Sequence, residues 1–393
     1  MDFFERDDLE TLLRHSAQPA VSIYLPNDGA APDPDRARLR FRAALERARA
    51  LIDADPRYDD EDILTPLLPL AKEREHWNSQ GGAFALFHSA EISRRYRLPA
   101  AFPELVVVGP TFHTRPLLDY LQNPNRFWVL ELGQGQVRLW RGDAERMRPL
   151  EGTSLPRDLQ EALGYEFTRD PEIVHRAGAK SGRGGNIRAQ RGGSVGAFHG
   201  HGVGVDDRQP ELRRFFKIVD DAVREYLGRA GGPVILAAVA EHHPLYREVS
   251  RLDRLAPEGI EASVRDWSPD RLHGAAWPIA VKAAEKRIDE ALALWETSYG
   301  RGKGEADPAN LGAFAVAGRI RLLMTERDRR LWGTIDPQTG KLEVRQVGGE
   351  DPGAETVDLL DELSEIVLLY RGETLVLPSG RMPTDTGLAG VLR

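Results

Sequence analysis

Leu212, Phe215, Phe216, Val219, Val223, Tyr226 and Leu227 return to one side of a helix over residues 210–228, with Pro210 in the first turn and Gly228 at the stop. Almost directly afterwards comes GPVILAAVA at 232–240, an unbroken apolar run of the kind that becomes a strand buried on both faces. An amphipathic helix feeding such a strand commits this part of the chain to packed α/β layers. The same alternation recurs elsewhere. AVSIYLP (20–26), GAFALFHS (82–89) and PELVVVG (103–109) read as strands around a charged helix at 32–54. RFWVLELGQGQVRLWRG (126–142) reads as two strands joined by a Gly-Gln-Gly turn. Helices are expected at 279–299 and 355–370, and strands at 318–326, 330–336 and 372–378.

At 393 residues the chain exceeds what one ordinary core serves. The fold class is α/β in the mixed α+β sense, with three units expected: 1–125, 126–277 and 278–393. No apolar run reaches the ~18 residues that cross a bilayer, and the acidic start MDFFERDDLE lacks the form of a signal peptide, so a cytoplasmic protein is expected. Cysteine is absent, which excludes thiol nucleophiles and Cys-ligated zinc.

The chain has 61 acidic against 53 basic residues, yet His175 to Val205 holds no Asp or Glu. Within this loop, KSGRGGNIRAQRGGS (180–194) combines glycines, which let a backbone approach a crowded partner, with Lys180, Arg183, Arg188 and Arg191, which suit phosphates. It contains neither G-x-x-x-x-G-K-[ST] nor a Rossmann-type G-x-G-x-x-G between strand and helix, so no nucleotide cofactor is expected. The alternative is an inert linker. His199 and His201 in FHGHG, and Glu241, His242 and His243 in EHH, are weak metal candidates, because a glycine loop fixes no geometry and adjacent histidines on a strand end diverge. No G-x-S-x-G elbow supports a serine hydrolase; Ser194 lacks that setting. Asp220 and Asp221 are expected on the polar side of their helix, Asp59 to Asp62 as a solvated run, and Trp128, Trp140, Trp267, Trp277, Trp295 and Trp332 in cores.

Taken in order, these segments resemble the archaeo-eukaryotic peptide-chain release factor superfamily, which includes Pelota, and its divergent bacterial members in particular. VSIYLP (21–26) is similar to the family's first strand, and PTFHTRPLLDYL (110–121) to the segment that closes the amino-terminal domain. KSGRGGNIRA (180–189) is similar to the Lys-x-Gly-Arg-Gly-Gly-Gln loop of the central domain. VILAAVAEHHPLYRE, AVAGRIRLLMTE and the terminal GLAGVLR follow in family order. The resemblance implies a decoding-type first domain, an RNase H-like central domain carrying the loop, and an L7Ae-like third domain. It also implies the 70S ribosome, with its rRNA and tRNA, as partner, and a translational GTPase beside it. Gly184 and Gly185 match the family's two glycines, but Asn186 stands where the family has glutamine, with an amide that reaches about 1.5 Å less far. An alternative alignment puts Gly192, Gly193 and Ser194 there. The stop-codon-reading Asn-Ile-Lys-Ser is missing. The expected function is occupation of the A site of stalled or idle ribosomes, in rescue, quality control or hibernation, without stop-codon reading. The alternative is codon-independent peptidyl-tRNA hydrolysis through Gly184, Gly185 and Asn186; a metal hydrolase on His199 and His201 stands third. Whether the chain is an enzyme stays open at this point.

Overall fold

The computed structural model describes residues 4, 6–26, 33–58, 62–72, 77, 82–99, 102–122, 126–164, 208–228, 231–347 and 356–393. Its first unit holds α1 (Arg6–Leu13), β1 (Ser16–Leu25), α2 (Pro34–Ala54), α3 (Leu68–Lys72), β2 (Ala83–His88), β3 (Ser93–Leu98), β4 (Leu105–Thr111) and α4 (Arg115–Gln122). The strands form one antiparallel sheet in the order β3-β2-β1-β4. Asp33 starts α2 by accepting from the amides of Asp35 and Arg36, and Pro34 presets the first turn. Phe41, Ala44, Leu45, Ala48 and Ile52 of α2 then cover Val21, Ile23, Phe84 and Leu86. The alternate residues Ala20, Tyr24, Ala85 and Phe87 face the other way, which is why these strands are apolar throughout. That second face is closed by α1, by α4, and by Trp332 and Val376 from the far end of the chain. The sequence reading missed β3, SRRYRL, because three arginines mask its inward Tyr96 and Leu98.

The central unit holds β5 (Phe127–Gly133), β6 (Gln136–Gly142), β7 (Met147–Pro149), α5 (Leu159–Leu163), α6 (Arg208–Leu227), β8 (Val234–Ala238), α7 (His242–Val249) and β9 (Ile260–Glu261). The sheet order is β7-β6-β5-β8-β9, with β5, β6 and β7 antiparallel in turn and β8 and β9 parallel to β5. Three hairpin-linked strands followed by two parallel ones on the far side of the first make the RNase H-like arrangement. The helices α6 and α7 cover one face through Phe215, Phe216, Val219, Val223 and Tyr246.

The other face is covered by α8 (Pro269–Tyr299), through Leu272, Ala276 and Ala280. This helix was expected only from 279. It begins ten residues earlier, capped by Ser268, and carries Pro278 in its interior, so the proline that suggested a start instead removes one internal hydrogen bond. The expected division at 277/278 therefore falls within a continuous helix. Further along, Ala291 and Trp295 of α8 pack on the C-terminal sheet.

That last unit holds β10 (Gly304–Glu305), α9 (Pro308–Val316), β11 (Ile320–Glu326), β12 (Leu331–Ile335), β13 (Leu342–Val347), β14 (Val357–Asp358), α10 (Leu359–Leu369), β15 (Glu373–Leu377) and β16 (Leu388–Leu392). Its main sheet, β10-β16-β11-β15, lies between α8 on one side and α9 with α10 on the other. A small sheet, β13-β12-β14, packs beside α10. The molecule is thus a mixed α/β, multi-unit architecture.

Gly232 enters β8 at φ +94°, and a Cβ there would meet the Arg126 carbonyl oxygen at 2.1 Å. Gly232→Ala combines backbone strain with a main-chain clash. It should lower stability by at least ~2 kcal/mol, read as a fall in the urea midpoint.

Candidate functional site

The Gly/Arg-rich loop lies outside the described residues, and with it Lys180, Arg183, Gly184, Gly185, Asn186, Arg188, Arg191, His199 and His201. What the structure defines is the platform on which the loop begins and ends. After β7 the chain runs along β6 toward the turn between β5 and β6: Val137 N donates to Arg157 O at 2.6 Å, and Leu159 N to Gln134 O at 2.9 Å. Asp158 caps the short α5 there by accepting from Glu161 N at 2.8 Å. The loop therefore leaves from the pole where the parallel strands β5 and β8 end.

It returns to the same pole. The aromatic ring of Phe216, in the first half of α6, sits 5.2 Å from that of His242, which follows β8. The far end of α6 reaches the opposite pole, where Trp128 Nε1 donates to Gly231 O at 2.9 Å and β8 starts beside β5. Since α5 also packs against α6, both anchors of residues 165–207 are held at one end of a rigid sheet.

Asp220 fixes this platform. It is buried, and its Oδ1 accepts from Tyr246 OH at 3.0 Å and Ser250 Oγ at 2.6 Å, while Oδ2 accepts from Arg251 N at 2.9 Å. Burial, and then the Asp220 carboxylate, hold the Tyr246 phenol far above its usual range, so it stays a donor at all working pH. The expectation that Asp220 lies on the polar side of its helix is corrected: only Asp221 does, paired with Arg224 at 3.5 Å. Sequence alone cannot separate two adjacent aspartates when the core-facing one is compensated by hydrogen bonds from α7 and the turn after it.

The EHH segment is likewise corrected. His242 and His243 do not end a strand; both are buried in the first turn of α7. Pro244 was the available signal, since proline is at home in a first helical turn. His243 Nε2 lies 3.2 Å from both the Ala238 and Ile260 carbonyls and ties β8 to β9. Burial lowers the pKa of His242, with the Leu132 carbonyl opposing, so the ring stays neutral near pH 7. Among the described residues no group of His, Asp and Glu could hold a metal ion.

A cleft of about 400 Å³ opens between the ends of β5, β8 and β9, lined by Glu131, Gln134, Glu241, His242, Ser263 and Arg265 among others. Glu131 is committed to the fold, accepting from Trp140 Nε1 at 3.0 Å, and the one bare ring nitrogen of His242 is sealed from solvent. In the first unit, His15 Nε2 lies 2.7 Å from Ser89 Oγ and its Nδ1 3.7 Å from Glu91, an order that imitates a hydrolytic triad. However, Ser89 is only 2% exposed, and its Oγ accepts from the amides of Glu91 and Ile92 at 3.2 Å. The group holds the turn between β2 and β3; no substrate carbonyl can reach that oxygen.

Residues 126–319 match the family described as bacterial archaeo-eukaryotic release factor family 3. The match takes in the central sheet, the loop and α8, and extends into β10 and α9. Solved structures similar to it include the archaeal translation termination factor aRF1, at 15% identity over 98% of this chain and 96% of that one, with a TM-score of 0.25. Ribosome-bound archaeal Pelota, described together with ABCE1, is 11% identical over 98% and 93%, at 0.38. Dom34 of S. cerevisiae, described as a translation termination-like factor interacting with Hbs1, is 10% identical over 80% and 75%, at 0.39. None of the curated proteins compared matches the chain. Among the described residues no helix is long and apolar enough to cross a membrane.

Replacing Asp220 by Ala strands two hydroxyls and an amide, and should cost ~2–4 kcal/mol of stability and speed amide exchange in α6 and α7. Asp221→Ala, at an exposed pair, should change stability by no more than ~0.5 kcal/mol in the same assay.

Proposed function

We propose that this protein is a ribosome-associated, release-factor-like factor that enters the A site of stalled or idle 70S ribosomes without reading a stop codon. One observation carries the reading: the segment matching the release factor family contains the acid-free Gly/Arg loop, between two anchors held at one pole of an RNase H-like sheet. In this reading Lys180, Arg183, Arg188 and Arg191 contact rRNA or tRNA phosphates, and Gly184 and Gly185 let the main chain approach them. The chain as a whole carries a net charge of −8, and the acidity outside the loop keeps the body from binding RNA indiscriminately. A translational GTPase is the second partner of this reading, and the unit boundaries at 125/126 and 277/278 belong to it as well, with α8 as the shared element. The absence of an Asn-Ile-Lys-Ser motif supports codon independence. The retained Gly184–Gly185 pair favours one second reading, peptidyl-tRNA hydrolysis with Asn186 in the glutamine's place.

Co-sedimentation with 70S ribosomes at graded salt tests the reading. Binding should be salt-sensitive. Changing Arg183, Arg188 and Arg191 to Ala should weaken it and reduce the slope of log affinity against log salt by about 2–3. Salt-insensitive or absent binding would overturn it. A peptidyl-tRNA release assay on the same complexes then separates the two readings: release lost in a Gly184→Val/Gly185→Val/Asn186→Ala variant marks a hydrolase, and no release by the parent marks an occupying factor.

A further inference from the structure

Although β4 and α10 lie about 250 residues apart in sequence, their ends meet in a buried polar seam that joins the first unit to the last. Asp361 Oδ1 accepts from Thr114 N at 3.0 Å and Arg115 N at 2.6 Å, so a side chain of the last unit caps α4 of the first. Arg115 crosses in the opposite direction. Its guanidinium donates to the Glu326 carbonyl at 2.5 Å, the Arg329 carbonyl at 2.7 Å and Asp358 Oδ2 at 2.7 Å. Two further acids of α10 face the same seam: Thr111 Oγ1 donates to Glu362 Oε2 at 3.4 Å and Thr114 Oγ1 to Glu365 Oε1 at 3.2 Å.

The charges here do not balance if every acid is ionised. Among the described residues of the seam, four carboxyls, Asp358, Asp361, Glu362 and Glu365, meet one permanent cation, Arg115, which is committed to Asp358. His113 Nδ1 lies 3.1 Å from Asp361, the Tyr24 hydroxyl donates to the His113 carbonyl, and neither faces Glu362 or Glu365 with a hydrogen bond. Other nearby charges are paired among themselves, Arg327 with Asp119 at 2.9 Å and Arg329 with Glu326 at 3.4 Å. Glu373 of β15 pairs with Arg287, while β12 and α9 carry no charged side chain. Carboxyls gathered without matching cations in a largely buried seam are relieved by taking up protons.

We propose that Glu362 and Glu365 act as a proton-operated latch between the first and last units, closed while their carboxyls are protonated and released as they ionise. Burial first, and then Asp361, push Glu362 up to about 7 from a usual 4.5. Burial, with Asp361 and Glu362, pushes Glu365 well above its usual range. Both groups hold protons more tightly in the closed state than in the open one. The closed state therefore has its full stability below about pH 4.5 and loses it as pH rises through about 7. Each proton released raises the open-to-closed ratio about tenfold per pH unit while it titrates. The latch rests on this seam alone and is independent of the ribosomal reading.

Because the chain has no cysteine, Ala90→Cys and Gln338→Cys place one donor and one acceptor dye on exposed points of the two units. In the labelled full chain, energy transfer should fall as pH rises from about 4.5 through about 7, at constant far-ultraviolet circular dichroism. Glu362→Gln/Glu365→Gln, which imitates the protonated acids, should keep transfer high throughout. A flat profile for the parent, or a Gln/Gln variant that titrates like the parent, would overturn the proposal. The parent titration alone decides the matter if the double variant does not fold.

Discussion

A carboxylate on α10 seated over the first amides of α4 determines how this molecule is put together. Without Asp361, the amides of Thr114 and Arg115 would be buried without partners at the centre of a contact that also holds Trp332 and Val376 against the first sheet. The apolar part of that contact supplies the attraction and the polar part fixes its register, since a small slip would strand Arg115 among carbonyls it could no longer reach. The two outer thirds of the chain thereby form one composite body. The central sheet is attached to it from below residue 126 and through α8, whose 31 residues serve two cores in turn.

Much of this architecture was legible in the sequence because the signals were local. The stripe from Leu212 to Leu227 and the run at 234–238 follow from periodicity alone, as does the hairpin at 127–142. The errors arose where a distant partner overrode a local pattern. Three arginines in β3 conceal a strand whose inward residues are Tyr96 and Leu98, Asp220 reads as surface until α7 supplies its donors, and Pro278 reads as a helix start although Ser268 caps the helix earlier. The acids Asp361, Glu362 and Glu365 gave no signal at all. Acids in and just after a first helical turn are ordinary, and only the fold reveals that α4 lies across them.

The candidate site shows the converse. Its proposed chemistry was read from composition, in the acid-free stretch from His175 to Val205, while the position of its two anchors came from the fold. No periodicity states where a 43-residue excursion between 164 and 208 departs and returns. The strand senses do: β7 runs with β5, α6 runs back, and both anchors fall at one pole.

The long-range seam also has a consequence for synthesis. Its hydrogen bonds link residues 247 positions apart, among the largest separations any contact here must bridge. The first sheet is translated early, but the face bearing Ala20, Tyr24, Ala85 and Phe87 stays incomplete until Trp332 and Val376 have been made. A nascent chain therefore carries a partly uncovered apolar sheet through most of its elongation. Folding of the amino-terminal third is finished by the last sixth of the message.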